Sequence, residues 1–246
     1  MFLLSCSAGN DSVAMIQIAH EEGLDLAAPV HVIYVDTGWA AHWWGQRIAE
    51  TQALCASYGF TFHRIRGEHT FESLMLKRKG FPMPGKTWCS FELKAKVLNA
   101  FHEEIDPDLD GIVLIGKRRD ESVARRETPE WVYDSERHGY RTVWHILAYV
   151  TEAQRDAAVL RSGLAVLPHR SQECAPCVNA NREDFKALTQ AEIDRAVELE
   201  KAVGKNMFRP HHHMGATGVL QVIQWAYSAR GKYEPSHEGC DSGFCE

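Results

Sequence analysis

A run of small and hydroxyl-bearing residues, Ser7-Ala8-Gly9-Asn10-Asp11-Ser12, lies near the start of the chain. An apolar stretch that reads as a buried strand, Phe2 to Ser5, precedes it, and apolar residues at helical spacing follow it. Small side chains let a polyphosphate approach the backbone, and the N–H groups of the first helical turn point at the phosphate. The two serine hydroxyls add donors, and Asp11 is expected either to cap the helix or to help hold Mg²⁺. The run therefore predicts a phosphate site, but not a Walker loop, since no Gly-Lys-Ser/Thr follows.

A second polar segment combines several arginines. Residues 111–115 read as a strand, and Gly116-Lys117-Arg118-Arg119-Asp120-Glu121-Ser122, with Arg125, follows it. The planar guanidinium groups suit bidentate contacts to phosphate or sulfate, and Glu121 is expected to orient them. A third strand ends at Asp36-Thr37, where Asp36 is expected to bond a ribose or adenine edge or to serve only as a turn residue.

Cysteines form a third set of chemically capable residues. Cys174 and Cys177 have the two-residue gap that lets two thiolates share one metal centre. Cys89 is expected at a helix start, where the helix dipole lowers the pKa of a thiol. Cys240 and Cys245 lie in a glycine-rich tail, whereas Cys6 and Cys55 are isolated and are expected to be structural. The run His211-His212-His213 has no spaced partners and is expected to line a surface loop.

These residues need elements that bring them together. Strands are predicted at residues 2–5, 30–35, 60–65 and 111–115, and helices at 12–22, 43–58 and 90–104. This alternation predicts an α/β fold with a Rossmann-like parallel sheet and crossover helices, whose loops meet at the carboxyl ends of the strands. Helices are then predicted at 151–162, 181–203 and 218–229. The expected division is a nucleotide-binding domain over residues 1–145 and a helical, cysteine-bearing region over residues 146–246.

Several of these motifs resemble one known family. The loop at residues 7–12 resembles the Ser-Gly-Gly-x-Asp-Ser loop of the adenine nucleotide α-hydrolase-like (PP-loop) superfamily, with Ala8 in place of a glycine. The other motifs resemble those of phosphoadenosine-phosphosulfate (PAPS) reductases and occur in family order across residues 3–180. They are Val35-Asp36-Thr37-Gly38-Trp39, the Cys-Cys-x-x-x-Lys-like segment from Trp88 to Lys94 with Ser90 replacing the second cysteine, the Gly-x-Arg-x-x-Glu-Ser-x-x-Arg segment from Gly116 to Arg125, and Cys174-Ala175-Pro176-Cys177.

The resemblance implies a set of site residues and cofactors. The expected nucleotide-binding residues are Ser7, Ala8, Gly9, Asn10, Asp11, Ser12, Asp36, Thr37, Gly116, Arg118, Arg119, Glu121 and Arg125. Since iron–sulfur relatives use cysteines in the first three cysteine regions, Cys89, Cys174, Cys177 and Cys240 are expected to ligate a [4Fe–4S] cluster. A Zn²⁺ site with four cysteine ligands is the alternative, and free redox cysteines are a third reading. Asp11, Arg119 and Cys245 are the expected catalytic residues, with Cys245 carrying or relaying sulfur.

Two activities follow from the resemblance. Sulfonucleotide reductases use a tail Glu-Cys-Gly-Leu-His motif, which this chain lacks, and tend to have lost the Asp-Ser end of the loop, which this chain retains. The retained loop resembles relatives that release pyrophosphate from ATP and adenylate a substrate, above all the iron–sulfur DNA phosphorothioation sulfurtransferase branch. ATP-dependent sulfur transfer with Mg²⁺ is therefore the preferred expectation. A PAPS or adenylyl-sulfate reductase and a non-catalytic nucleotide-binding regulator are the alternatives.

Composition limits the partners. With Lys+Arg 27 against Asp+Glu 33 the net charge is −6, which supplies no global attraction to nucleic acid, so such a substrate would need a local patch or a partner. No apolar run approaches the ~20 residues that span a bilayer. The N-terminus lacks the features of a secretory signal, and a cytoplasmic location is expected. Other candidate partners are a sulfur-donor protein, a thioredoxin-like reductant and a second copy of the chain.

Overall fold

One mostly parallel sheet forms the centre of the protein. The computed structural model describes residues 1–209 and 216–229, and within them six strands pair in the order β3-β2-β1-β4-β6-β5. The strands are β1 (Phe2–Cys6), β2 (Val30–Val35), β3 (Thr61–Ile65), β4 (Ile112–Leu114), β5 (Trp131–Ser135) and β6 (Arg141–Trp144). All neighbouring pairs are parallel except β5 with β6. The predicted parallel α/β sheet is confirmed, and the antiparallel β5–β6 hairpin at its edge was not predicted.

Helices connect the strands and build the second half of the chain. They are α1 (Asn10–Glu21), α2 (Leu24–Ala27), α3 (Trp44–Ser57), α4 (Phe71–Arg78), α5 (Trp88–Ser90), α6 (Lys96–Ile105), α7 (Glu152–Arg161), α8 (Arg182–Lys186), α9 (Gln190–Val203) and α10 (Gly218–Tyr227). A π-helical turn, Phe91–Ala95, joins α5 to α6, and 3-10 turns form at Arg119–Glu121, Val123–Arg125 and Glu136–His138. α4 was not predicted.

The single helix predicted over residues 181–203 is wrong, because the segment divides into α8 and α9. Asn181 caps α8 by accepting hydrogen bonds from the amides of Glu183 and Asp184. Thr189 caps α9, and its hydroxyl accepts a bond from the amide of Glu192. Two N-caps eight residues apart therefore start two helices in what looks like one helical pattern.

Alternating residues of the central strands bury both faces of the sheet. Leu4, Val32 and Leu114 belong to a core that includes buried residues of α1, α3 and α7. Their strand neighbours Leu3, Ile33 and Val113 pack on the opposite face against residues of α6, including Phe101. A third core joins Trp39 to residues of α4, α9 and α10. Burial on both faces explains why the central strands read as continuous apolar runs.

The order of the strands creates a crevice at β1. β2 pairs with one side of β1 and β4 with the other, so the chain reverses direction across the sheet at this strand. In open α/β sheets such a switch point opens a crevice at the carboxyl ends of the strands, where ligands bind. The loop at residues 7–12 and the arginine segment after β4 flank this crevice.

No helix among residues 1–209 and 216–229 is long and apolar enough to cross a bilayer.

Candidate functional site

The loop after β1 is closed by its own two serines. The Ser7 amide donates to Ser12 Oγ at 2.9 Å, and the two hydroxyl oxygens lie 3.1 Å apart. The amide of Gly9, the N-cap residue of α1, donates to Ser7 Oγ at 3.4 Å. The two hydroxyl groups therefore lie together at the opening of α1, and phosphate binding by this turn stays a prediction.

Ala8 occupies a backbone conformation that usually belongs to glycine. Its φ is 60°, and its methyl group is fully buried. For an L-residue this left-handed conformation costs about 1 kcal/mol. The loop is held from below by Arg47 on α3, whose Nε donates to Ala8 O at 3.3 Å and whose NH2 group donates to Ala165 O at 3.0 Å. The surrounding packing therefore maintains the strained turn.

The side chain of Asn10 serves the fold. Its Nδ2 donates to Leu167 O at 2.8 Å, and its Oδ1 accepts from Leu167 N at 2.9 Å. This pair of bonds ties the opening of α1 to the segment that follows α7. Only the main chain of Asn10 is left to face a phosphate.

Asp11 does not cap α1, so that alternative is wrong, while a role in holding Mg²⁺ stays a prediction. Gly9 is the N-cap residue, and the carboxylate of Asp11 accepts a hydrogen bond from Arg118 Nε at 2.6 Å. Arg155 of α7 lies 4.0 Å from the same oxygen. Burial alone would lower the pKa of Arg118, but Asp11 and Asp120 outweigh it and raise that pKa. The first turn of α1 is thus bridged to the segment after β4 by a charged hydrogen bond.

The arginine segment lies at the crevice, and its members bind different partners. Gly116 lies against the backbone of Asp11, where an added Cβ would be 3.4 Å from Asp11 O. Arg119 donates through Nε to Thr128 O at 2.7 Å and stacks 4.3 Å above the ring of Tyr149. Arg125 pairs with Glu121. Glu121 therefore orients Arg125, whereas Arg118 is oriented by Asp11.

Asp36, at the end of β2, pairs with two arginines. It accepts from Gly38 N at 2.9 Å and from one terminal nitrogen each of Arg64 and Arg66 at 2.7 Å. Burial would raise the pKa of Asp36, but the Gly38 amide and the two arginines outweigh it and lower that pKa. Asp36 is therefore an ionised turn residue that also anchors the arginines of β3 and its following loop.

Residues 170–177, which we call the cysteine loop, cross the strand ends between the loop at residues 7–12 and the segment after β2. Ser171 Oγ donates to Ser7 O at 3.3 Å, and an added Cβ on Gly9 would approach Ser171 Cβ to 3.0 Å. Further bonds run along residues 37–41: Thr37 Oγ1 to Glu173 O at 3.2 Å, Trp39 Nε1 to Pro176 O at 3.0 Å, Ala41 N to Gln172 O at 3.0 Å and Ala175 N to Trp39 O at 2.8 Å. The cysteine loop thus contacts both the loop at residues 7–12 and the segment after β2.

Cys89, Cys174 and Cys177 come into one neighbourhood. Burial raises the pKa of Cys89, and the charge of Cys177 raises it further. The expectation that a helix start lowers the pKa of Cys89 is therefore wrong, since burial prevails. Burial raises the pKa of Cys174 to about 12, and Cys177 contributes to that rise as well. Cys6 and Cys55 are buried, and burial raises their pKa values too, in keeping with structural roles.

Lys94 and Glu173 add an ion pair beside these thiols. Burial alone would lower the pKa of Lys94, but Glu173, Cys174 and Cys177 outweigh it and raise that pKa. Lys94 stems from the π-helical turn, a distortion that is frequent at functional sites. Its ammonium group in turn favours the thiolate of Cys174.

The cysteines of residues 1–209 do not form a complete metal site by themselves. In the part of the chain that the structure describes, no group of three or more His, Cys, Asp or Glu side chains is arranged to hold a metal ion. The expected fourth ligand Cys240, the expected catalytic Cys245 and the run His211–His213 lie outside the described residues.

Several residues of the site escaped the sequence reasoning. Arg47 and Arg155 reach it from helices that carry no motif, and Ser171 lies just before the Cys174–Cys177 motif. Lys94 was visible in the Cys-Cys-x-x-x-Lys-like segment, but its partner Glu173 could be found only through the fold. These residues were missed because they reach the site only through the fold.

The strand order, the loop at the switch point and the sequence motifs together define the protein as a PP-loop α/β protein. Residues 1–192 match the model of the phosphoadenosine phosphosulfate reductase domain. The chain belongs to this family. No curated protein matches it significantly in sequence.

Solved structures share this fold. The chain is similar to NMN synthetase from Francisella tularensis, with 12% identity, a TM-score of 0.50 and coverage of 92% of this chain and 83% of that chain. The U34-tRNA thiolase NcsA from Methanococcus maripaludis, with its [4Fe-4S] cluster, gives 14% identity, a TM-score of 0.50 and coverage of 92% and 70%. PAPS reductase from Candida auris in a phosphate complex has 16% identity and a TM-score of 0.45, with coverage of 66% of this chain and 73% of that chain. For the synthetase and the thiolase the likeness at these identities concerns the fold alone.

Proposed function

We propose that the chain binds ATP across residues 7–12, releases pyrophosphate and activates an acceptor as its adenylate for sulfur transfer. The observation that carries this proposal is the closed loop, in which the hydroxyls of Ser7 and Ser12 meet at the opening of α1. Main-chain amides and a helix N-terminus at a strand switch point suit a polyphosphate. The family match and the retained Asp11-Ser12 pair support an adenine nucleotide as the ligand.

In this proposal each charged group has a role. Ser7, Gly9 and Ser12 hold the pyrophosphate portion, and a bound Mg²⁺ would supply charge stabilisation for this leaving group. Arg118, Arg119 and Arg125 offset the charge that develops on the phosphates. Asp11 keeps Arg118 at the crevice through their 2.6 Å hydrogen bond. Arg119 and Arg125 are engaged with Thr128 O and Glu121, so they exchange these partners for phosphate when the nucleotide binds.

The second candidate is sulfonucleotide reduction, which the family name favours. Incubation with labelled ATP and, separately, with PAPS or adenylyl sulfate plus a thiol reductant distinguishes the two. The first proposal predicts labelled pyrophosphate and no sulfite. Sulfite release from a sulfonucleotide, with no pyrophosphate from ATP, selects the reductase instead.

We also propose that Cys89, Cys174 and Cys177 bind a [4Fe–4S] cluster, completed by Cys240 from beyond the described residues. Cys177 acts electrostatically on both Cys89 and Cys174, and the Lys94 ammonium favours the thiolate of each of these two residues. The cluster-bearing tRNA thiolase shares the fold, which makes a cluster on this scaffold reasonable. When bound, such a cluster supplies redox or sulfur-binding chemistry; Zn²⁺ in its place would be structural.

Metal analysis tests the cluster directly. Protein purified without oxygen is expected to be brown, to absorb broadly near ~400 nm and to contain iron and sulfide. Cys177→Ser is expected to lose most of the iron, whereas the buried Cys55→Ser variant keeps it. Stoichiometric zinc without iron or sulfide would overturn the cluster proposal and leave the nucleotide proposal intact.

A further inference from the structure

Arg195 of α9 joins two segments that are distant in sequence. One terminal nitrogen, NH2, lies within hydrogen-bond distance of Trp39 O at 3.4 Å, Ala40 O at 3.2 Å and Ala175 O at 2.8 Å. The first two carbonyls belong to the segment after β2, and the third belongs to the cysteine loop. One guanidinium group therefore bridges the β2 motif and the residue next to Cys174.

The same guanidinium is fixed by stacking. Its carbon lies 4.0 Å from the ring centre of Trp39, a fully buried side chain. The indole Nε1 of Trp39 donates in turn to Pro176 O at 3.0 Å. Lysine lacks the planar face that stacks on Trp39, and its ammonium group ends one bond short of the position that the NH2 nitrogen occupies, so lysine would lose the stacking and weaken these hydrogen bonds.

Helix α9 makes a second connection to the segment after β2. Glu192, one turn before Arg195, accepts from the His42 amide at 3.1 Å, while its other oxygen accepts from the Thr189 amide at 2.8 Å. Burial would raise the pKa of Glu192, but these amides outweigh it and lower that pKa. α9 is therefore anchored at the point from which Arg195 reaches the cysteine loop.

The cysteine loop connects onward to both chemical centres. At one end Ser171 bonds Ser7 O and packs on Gly9. At the other end Cys174 Sγ lies 3.7 Å from the hydroxyl of Thr37, which also bonds Glu173 O. Displacing the loop would change the surroundings of the nucleotide loop and of Cys174 together.

We infer that Arg195 is a positioning residue, which holds the cysteine loop across the strand ends so that the nucleotide loop and Cys174 form one site. The inference rests on the proposed function, because it treats residues 7–12 as the nucleotide site. Nucleotide binding and the accessibility of the Cys174 thiol are then linked, and each affects the other.

Arg182 provides a matched control. It also stacks on a tryptophan, Trp225 at 4.3 Å, and donates to the carbonyls of Trp225 and Ser228. Its partners lie at the end of α10 and not in the cysteine loop or the β2 motif. Arg182→Lys therefore removes a similar set of interactions without touching the proposed site.

The experiment measures alkylation of Cys174 by N-ethylmaleimide in reduced, chelator-treated full-length protein, resolved by peptide mass spectrometry, with and without ATP. Calorimetry gives the Kd for ATP, and circular dichroism checks folding. In the parent protein ATP is expected to slow alkylation of Cys174. In Arg195→Lys, alkylation without ATP is expected to be about tenfold faster and ATP binding about tenfold weaker, the scale of one to two lost hydrogen bonds. Arg182→Lys is expected to match the parent in both.

Equal alkylation and equal ATP binding in folded Arg195→Lys and Arg182→Lys would overturn the inference. Should Arg195→Lys not fold, Trp39→Phe removes the indole bond to Pro176 O and shrinks the ring face on which Arg195 stacks, and faster alkylation of Cys174 is again expected. If the parent binds no ATP, the proposed function is wrong, while the alkylation rates without nucleotide still decide whether Arg195 holds the cysteine loop.

Discussion

A few local hydrogen bonds fix the positions of individual residues in the loop at residues 7–12. Ser7 and Ser12 bond each other, Arg47 holds Ala8 O, and Asp11 is paired with Arg118. These contacts place the loop amides before any ligand arrives, which reduces the ordering that binding would require.

The backbone conformation of Ala8 could not be predicted from its residue type. In the sequence it is a mild departure from a glycine pattern, but in the fold it is a buried residue with φ 60°. The strain of an L-residue there and the packing of its methyl group act in opposite directions. Only the backbone angle, which the sequence does not display, reveals the conflict.

His102 permits a prediction about pH. It lies on α6, is 1% exposed, and neither ring nitrogen has a hydrogen-bond partner within the described residues. Burial, with Arg141 and His138 nearby, lowers the pKa of His102 to about 4, and burial beside Arg137 and Lys117 does the same for His138. In the unfolded chain a histidine titrates near ~6.5. Between pH ~6.5 and ~4 the unfolded state therefore binds protons at these histidines, whereas the folded state does not. The free energy of unfolding is highest above pH ~6.5 and falls as the pH falls toward ~4.

The loss attributable to His102 is expected to reach roughly 3 kcal/mol near pH 4. Urea unfolding at several pH values measures it. His102→Leu is expected to reduce the pH dependence between pH 6.5 and 4, with the part due to His138 remaining, whereas His42→Leu, at a mostly exposed histidine, leaves it unchanged. An unchanged slope in His102→Leu would show that this histidine is protonated without cost in the folded protein.

At the scale of elements, the strands that carry the motifs were predictable. β1, β2 and β4 are apolar runs bounded by turn residues, whereas β3 is a partly polar strand that follows Gly59. The alternation of these strands with helices favours a parallel sheet. The carboxyl ends of β1, β2 and β4 accordingly present the nucleotide loop, Asp36 and the arginine segment at one edge.

The β5–β6 hairpin was missed for a physical reason. β5 is a short edge strand with mostly exposed residues, a register shift between Val132 and Ser135 and a positive φ at Asp134. It therefore lacks both the apolar run of a central strand and regular alternation. β6 begins with Arg141, which is fully buried and paired with Asp106. Because an arginine is rarely buried, the sequence of this strand resembles that of a polar loop.

The cysteine loop is the element that sequence reasoning could place only in part. The spacing of Cys174 and Cys177 indicates shared chemistry, but not that Ser171 packs on Gly9 or that Glu173 pairs with Lys94. Such contacts join segments more than 75 positions apart, so no local pattern encodes them. The division of the chain at residue 145 stays a prediction, although α7 packs against α1 in the first core.

Across the whole molecule, the candidate site is assembled from both halves of the chain. The first half supplies the nucleotide loop, the arginine segment and Lys94, and the second supplies Arg155, the cysteine loop and Arg195. A net charge of −6 leaves these arginines as a local exception to an acidic protein. Arg118, Arg125 and Arg155 are already paired with carboxylates, so an anionic ligand would have to compete with those carboxylates.

The central claim is that residues 7–12 hold the polyphosphate of an adenine nucleotide. Calorimetric titration of the full chain with ATP and Mg²⁺ tests it most directly, in the parent protein, in Ser12→Ala and in Ser57→Ala, whose hydroxyl bonds Leu54 O at the end of α3. We predict saturable binding in the parent and in Ser57→Ala, and roughly tenfold weaker binding in folded Ser12→Ala, the scale of a lost hydrogen bond to a charged group. Absence of binding in the parent, or equal affinity in all three proteins, would contradict the account.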